Sequence, residues 1–261
     1  MSQDDDRLTR RRVTLVLVVR NEEKGIRAVV SRIPRESVDA IIAIDGNSTD
    51  GTHAALESFN IPMHRQIERG LGAAMLETRQ YVATESFIFF HPDGNEDPAD
   101  IPRMAELLRQ GSDFVVASRM MRGAVNEEDH KLLKFRKWAN NGLALIANLL
   151  FGHGGNKTTD VTHGFRGISC VAWDQMKLTS KDLTMDYQMV IRALKLGIRI
   201  TEFPTHEYQR IDGVTNFASL PTGIAELKLV WREMKMGLRT ARGPASVAVP
   251  GPHNLEPAYQ H

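Results

Sequence analysis

Residues 13–19, VTLVLVV, are apolar and β-branched with almost no polar interruption. A strand with one wet face alternates apolar and polar residues, whereas a run apolar at nearly every position must be covered on both faces. The runs AIIAI (40–44), SFIFF (86–90) and DFVVAS (113–118) have the same character. Weaker strand patterns lie near 61–66 and at IRITEFP (198–204). Helical patterns fall between them, at 25–33, 52–58, 70–83 and 100–110, and then at 187–197. Strand and helix in alternation predict a parallel sheet with right-handed crossovers, an α/β fold with helices on both faces. In such a sheet ligands bind beyond the carboxyl ends of the strands. Asn21, Glu22, Asp45, Asp50 and Asp93 all follow strand ends, so they are expected to converge on one edge.

A chain of 261 residues suits one large α/β domain. A net charge of +1, spread through the chain, gives no basic surface for nucleic acid. One cysteine, Cys170, excludes an intrachain disulfide and a cysteine-based zinc cage. Its expected role is that of a small buried hydrophobe in a reducing compartment. No apolar run approaches the ~20 residues of a membrane-spanning helix. Residues 1–12 read as a disordered lead-in, 13–242 as the folded domain and 243–261, rich in Pro, Gly and Ala, as a disordered tail. Within the domain the break between two functional halves falls at 120/121.

The second half carries two long amphipathic stretches. In 131–151, Leu132, Phe135, Trp138, Leu143, Ile146, Leu149 and Leu150 lie near one stripe, with Lys134, Lys137, Asn141 and Asn148 opposite. In 221–240, Leu220, Ile224, Leu227, Trp231, Met234 and Leu238 repeat with near-heptad spacing. Basic residues flank both stretches, which fits either a membrane-surface helix or, for the second, a homodimer seam. Residues 155–167 read as a polar loop.

The segment FHPDGNEDP (90–98) directly follows a buried strand. His91, Asp93 and Asn95 alternate, so an extended chain would present all three on one side, a fit for a hard divalent cation. The plain alternative is an Asx-rich turn closed by Pro98. Likewise Asp50 reads as a helix cap, whereas Asp45, directly at a strand end, is the better ligand candidate.

These segments, in this order, resemble family 2 glycosyltransferases with the GT-A fold, and most closely the polyprenyl-phosphate sugar synthases typified by dolichol-phosphate mannose synthase. Arg20-Asn21-Glu22-Glu23 resembles the family's Y-N-E-E. Residues 45–52, Asp45-Gly46-Asn47-Ser48-Thr49-Asp50-Gly51-Thr52, are similar to D-D-G-S-x-D-G-T. Residues Arg69-Gly70-Leu71-Gly72-Ala73-Ala74 resemble a diphosphate-side G-x-G-x-A. His91-Pro92-Asp93-Gly94-Asn95 aligns with a D-x-D-x-Q/N metal motif, His163-Gly164-Phe165-Arg166 with S-G-F-R, and residues 210–216 with R-x-x-G-x-S-K. The departures are His91 for the first acid, Arg20 for a tyrosine, Gly46 for the second Asp, and Asn216 for the late lysine.

The resemblance implies an inverting transfer from a GDP- or UDP-linked sugar to an acceptor, most simply a polyprenyl phosphate. It assigns Asn21, Glu22, Asp45, Asn47, Asp50, Arg69 and Gly72 to the nucleotide, and His91, Asp93 and Asn95 to Mn²⁺ or Mg²⁺. Arg166 and Arg210 are assigned to the acceptor or diphosphate. A hydroxyl acceptor would need a general base, for which Asp186 is the first candidate and Asp160 the second. The implied setting is cytoplasmic, with peripheral attachment to the cytoplasmic membrane face. The alternatives are a cytosolic transferase with a soluble hydroxyl acceptor and a catalytically weakened nucleotide-sugar binder.

Overall fold

The structure, a computed structural model, describes residues 10–129, 134–212 and 219–236, without the side chains of Ser219 and Leu220. Expectations for Leu132, Asn216, Leu238 and the tail concern residues outside these. Of the lead-in, Arg12 is anchored: its backbone N–H and its guanidinium both bond to Glu85.

Seven strands form one sheet in the order β3-β2-β1-β4-β6-β5-β7. They are β1 (Val13–Val19), β2 (Ala40–Asp45), β3 (Met63–Arg65), β4 (Ser86–Phe90), β5 (Phe114–Ser118), β6 (Arg166–Ser169) and β7 (Ile200–Pro204). The helices are α1 (Glu23–Val29), α2 (Thr52–Ser58), α3 (Leu71–Thr78), α4 (Ile101–Arg109), α5 (Phe135–Phe151), α6 (Cys170–Met176), α7 (Met185–Leu196) and α8 (Ser219–Met236).

The apolar runs are covered on both faces, as their composition requires. Along β1, Leu15 and Leu17 join a core with Ile26 of α1, Leu56 of α2 and Met104 of α4. Val16 and Val18 point the other way, into a core with Met75 of α3, Leu143 of α5, Trp173 of α6 and Leu229 of α8. β4 splits in the same manner, with Ile88 and Phe90 on the first face and Phe87 and Phe89 on the second.

The sheet is mostly parallel, as the GT-A resemblance implied, with one strand reversed. β6 runs antiparallel between β4 and β5, with Phe89 opposite Arg166 and Val115 opposite Gly167. It is four residues long, and it follows directly from a segment read as a polar loop. Its glycine is required by packing: a Cβ on Gly167 would lie 2.8 Å from Leu108 and 3.0 Å from Met104. The reversal sets the loop before β6 beside the carboxyl end of β4.

The amphipathic stretches are also redistributed. In α5 the buried face is Asn140, Leu143, Ala144, Ala147 and Phe151. Phe135, Trp138, Leu145, Leu149 and Leu150 are exposed, so the stripe read from spacing divides between core and surface. Asn148, expected on the wet side, exchanges two hydrogen bonds with Thr158. On α8 the stripe read from spacing is exposed at Ile224, Leu227, Trp231 and Met234, while Glu226, Leu229, Val230 and Glu233 form the buried face. Glu233 is neutralised by Arg192 at 2.8 Å and Lys195 at 3.2 Å, both from α7.

Candidate active site

The carboxyl ends of β1, β2 and β4 meet at one edge. Beyond β1, Asn21 adopts φ 54° and ties two loops together: its N–H donates to Ser48 Oγ and its Oδ1 accepts from the Thr49 N–H at 2.8 Å. Asp50, one residue before the Gly51 N-cap of α2, accepts from the Thr52 N–H at 3.0 Å and from the Glu23 N–H at 3.3 Å. Asp45 differs from expectation. It is fully enclosed, and accepts from the Ser48 N–H and hydroxyl and from His53 Nε2 at 2.9 Å. Its carboxylate is thus committed to shaping the β2 loop. Asn47, exposed at φ 62°, donates to the Gln66 carbonyl.

The glycine segment before α3 serves contact between backbones. Gly70 has φ 120°, and a Cβ on Gly72 would lie 2.5 Å from the Ser180 carbonyl oxygen and 2.8 Å from that of Asp182. The Ala73 N–H donates to the Lys181 carbonyl at 3.1 Å. Gly72 therefore docks the 180–182 loop, and Arg69 is exposed at the turn beside it.

The centre of the site is Glu22, Asp93 and Arg210. The Arg210 guanidinium bonds Glu22 through Nη2 and reaches Asp93 Oδ2 through Nη1 at 3.1 Å. The segment carrying it crosses the 93–97 loop like a strap: the Ile211 N–H donates to the Asp93 carbonyl and the Tyr208 N–H to the Asn95 carbonyl, each at 2.9 Å. Gly94, at φ 93°, leaves room for Ile211 above it. Burial pushes the Glu22 carboxyl up to about 7, with Asp93 adding and Arg210 opposing. Burial likewise raises Asp93, helped by Glu96.

Glu96 was not singled out by the sequence, although it lies five residues beyond His91 with a proline two places on. Its carboxylate accepts from His91 Nδ1 and from the His91 N–H, both at 2.8 Å. Burial pulls the imidazole down, but Glu96, then Asp93 and Asp186, outweigh it and hold His91 at about 9. With Nδ1 on Glu96, Nε2 is the remaining ring nitrogen, and a ring held at about 9 gives up its Nε2 proton before it ligates a cation. His91 Nε2 and Asn95 Oδ1 are buried without a hydrogen-bond partner. These two orphans flank Asp93, so the donor set fits a divalent cation. Among the described residues no cluster of three His, Cys, Asp or Glu side chains is arranged around a single point.

Three expected site residues are enclosed. Arg166 has no exposure; its Nη1 donates to the Asp186 carbonyl at 2.9 Å and its Nε lies 3.4 Å from Asp186 Oδ1. Arg166 thus anchors α7 to β6 and does not present itself to an acceptor. Asp186 is 5% exposed and raised by burial. Asp160 takes two hydrogen bonds from the Arg119 side chain at 2.8 and 3.0 Å, and is lowered despite burial because that guanidinium stabilises the charge. A carboxylate so held is a poor base. Arg119 also binds Glu207 at 2.8 Å, joining the end of β5, the loop before β6 and the segment after β7. The ring of His91 rests on Gly164 of that loop, where a Cβ would lie 2.5 Å from Cε1.

A groove of about 440 Å³ opens between α5 and α8. Leu143, Ile146, Ile224 and Leu227 give it apolar walls, and Arg119, Thr162 and Glu207 also line it. Exposed Trp138 and Trp231 lie on the two helices that frame it.

A mostly parallel α/β sheet with Glu22, Asp93 and Arg210 at its carboxyl edge and a helical groove between α5 and α8 puts its ligand site where open α/β folds bind. The chain belongs to glycosyl transferase family 2, whose model matches residues 14–175. It is 28% identical over 200 residues to glycosyltransferase AglJ of Haloferax volcanii, covering 74% of this chain and 62% of that protein. The chain thus spans less than two thirds of that relative. It is 26% identical over 207 residues to the undecaprenyl-phosphate mannosyltransferase of Micrococcus luteus, covering 74% and 82%. The fold matches glucosyl-3-phosphoglycerate synthase from Mycobacterium tuberculosis in complex with Mn²⁺ and UDP-glucose, with a TM-score of 0.65 at 17% identity, over 88% of this chain and 83% of that one.

Proposed function

We propose that this chain transfers a sugar, with inversion, from a nucleoside-diphosphate sugar to the phosphate of a polyprenyl chain. The observation that carries the acceptor assignment is the groove between α5 and α8, with Leu143, Ile146, Ile224 and Leu227 as apolar walls and Arg119 and Thr162 in its lining. A relative that acts on undecaprenyl phosphate and a structural neighbour that binds a UDP-sugar support the two halves of the reading.

Glu22 and the β2 loop lie where the nucleoside would sit, and Arg210 supplies positive charge between Glu22 and Asp93 for the diphosphate. Asp93, His91 Nε2 and Asn95 Oδ1 would hold Mn²⁺ or Mg²⁺, which when bound takes up charge on the departing diphosphate. Glu96 fixes the orientation of His91. An acceptor phosphoryl oxygen attacks the anomeric carbon as the bond to the diphosphate breaks and its electron pair leaves with the nucleotide. The acceptor is already ionised, so this step needs no general base, which suits the enclosure of Asp186 and Asp160.

The exposed apolar faces of α5 and α8 support attachment to a membrane surface. Lys228, Arg232 and Lys235 accompany Ile224, Leu227 and Trp231 on α8, and the Lys235 ammonium lies 4.5 Å from the Trp231 ring centre. No described helix is long and apolar enough to cross a membrane.

The test is a matrix of UDP- and GDP-sugars against farnesyl phosphate and soluble hydroxyl acceptors, with Mn²⁺ or Mg²⁺. Transfer to farnesyl phosphate with inverted anomeric configuration is expected. Transfer only to soluble hydroxyls refutes the acceptor assignment, and nucleotide binding without any transfer refutes the enzyme reading.

A further inference from the structure

The groove between α5 and α8 contains a carboxyl group that has no use in the mechanism above. Glu226, on α8, is 4% exposed, and it lines the groove together with Asn140, Leu143 and Thr162. Its counterpart on the same buried face, Glu233, meets two cations and Gln188. Glu226 has neither a hydrogen bond nor an ion pair among the described residues. An ionised carboxylate in that position would be buried without compensation, a state that folded proteins avoid by keeping the group neutral.

Its charged surroundings point the same way. From α7 it faces Asp186, itself neutralised in part by Arg166, and Tyr187, whose hydroxyl is spent on the Leu143 carbonyl at 2.9 Å. From α5 and the preceding segment the groove receives Arg136 and Lys137, engaged by Glu127 and Asp129, and Glu128. From the sheet side it receives Arg119 and Glu207, paired to each other. On α8 itself the charged neighbours Lys228 and Arg232 are exposed. Among the described residues no cation pairs with Glu226. Burial, with Asp186 adding, pushes it up to about 7.

We propose that Glu226 positions the acceptor, donating a hydrogen bond from its neutral carboxyl to a phosphoryl oxygen of the head group seated in this groove. The inference rests on the polyprenyl-phosphate reading. A neutral carboxyl beside a phosphate is a donor, whereas an ionised one repels it, so the same residue makes acceptor binding sensitive to pH. A buried donor to a charged oxygen also discriminates: an acceptor alcohol lacking the phosphate leaves it without its charged partner. Glu226 acts in acceptor binding and not on the reacting atoms, so its signature is in KM and not in kcat.

The experiment uses the full chain with farnesyl phosphate as the acceptor probe, at saturating donor and metal, from pH 6 to 9. Wild-type acceptor KM should rise about tenfold per pH unit above the titration of Glu226 at about 7. Glu226→Gln, which keeps a donor and cannot ionise, should hold KM flat over that range with kcat within about twofold of wild type. Glu226→Ala should raise KM about tenfold at acid pH and also be flat, from the loss of one charge-assisted hydrogen bond. The second ionisation of the probe is common to all three proteins and cancels in the comparison. Superimposable profiles for wild type and Glu226→Gln overturn the inference, as does a fall of 10²-fold or more in kcat with KM unchanged. If wild type transfers nothing to farnesyl phosphate at any pH, the acceptor reading itself falls, and the inference with it.

Discussion

Replacing Arg119 by Met would test how the two halves of the site are held in register. Arg119 is the one guanidinium shared by Asp160 and Glu207, with contacts of 2.8 and 3.0 Å to the first and 2.8 Å to the second. Asp160 has no exposure and Glu207 has 4%. Met fills a similar volume and leaves two carboxylates buried without a cation, at a cost of ~3–5 kcal/mol. For a domain of this size that lowers Tm by roughly 6–20 °C. The pH dependence gives the sharper signature. In the wild type both carboxyls are held below their usual values of 3.8 and 4.5, by Arg119 against burial. That stabilisation is complete above about 4.5 and is lost as pH falls through the lowered folded values. In the variant the largest opposition to burial is gone and only His163 and backbone N–H donors remain against it, so both carboxyls rise and the deficit should be largest at neutral pH and shrink toward pH 4.5. Adding Asp160→Asn and Glu207→Gln should recover most of the loss at pH 7. The assay is urea unfolding followed by circular dichroism between pH 4.5 and 8. A deficit below about 1 kcal/mol, or one that grows toward acid, refutes the reasoning.

Asp93→Asn should lower turnover by on the order of 10²-fold, yet leave Tm unchanged or slightly higher, because burial already disfavours the Asp93 charge; paired kinetics and calorimetry read both. Gly72→Ala places a methyl 2.5 Å from the Ser180 carbonyl oxygen and should cost ~1–3 kcal/mol by overpacking, measured by denaturant midpoint. Trp138→Ser and Trp231→Ser remove exposed aromatics; each should weaken binding to anionic vesicles roughly tenfold or more while stability shifts by less than about 0.5 kcal/mol, as sedimentation and thermal melts would show.

The sheet was legible because its strands are buried on both faces, and a doubly buried strand announces itself by composition alone. β6 was not legible: four residues, Arg-Gly-Ile-Ser, contain one large aliphatic, and their burial comes from neighbours distant in sequence. The residues at the strand ends were legible as a set, since polar groups directly after apolar runs mark the ligand edge. Their individual partners were not. Asp45 and Asp50 look alike as acids before a helix, but one is enclosed by His53 and Ser48 and the other accepts from the Thr52 and Glu23 N–H groups. Arg166 and Arg210 both read as anion binders, and only packing decides that the first lies inside the core and the second at the cleft. The helix stripes were legible as apolar faces, but what covers them was not. Periodicity locates an apolar face but does not say whether protein or something else covers it, and on α8 the protein side holds Glu226 and Glu233.

The reversed strand β6 has an architectural consequence. The donor-side loops of the cleft leave β1, β2 and β4 at their carboxyl ends, whereas the 158–165 loop enters the same edge ahead of an opposed strand. Two chain segments of opposite polarity therefore furnish the two sides of one opening, each anchored on its own hydrogen-bonded ladder. If the chain transfers sugar as proposed, insertions or grafts in the incoming loop would remodel one side of the opening while the β1, β2 and β4 ladders stay in place. The sheet thereby keeps the two sides of the opening on separately editable pieces of backbone.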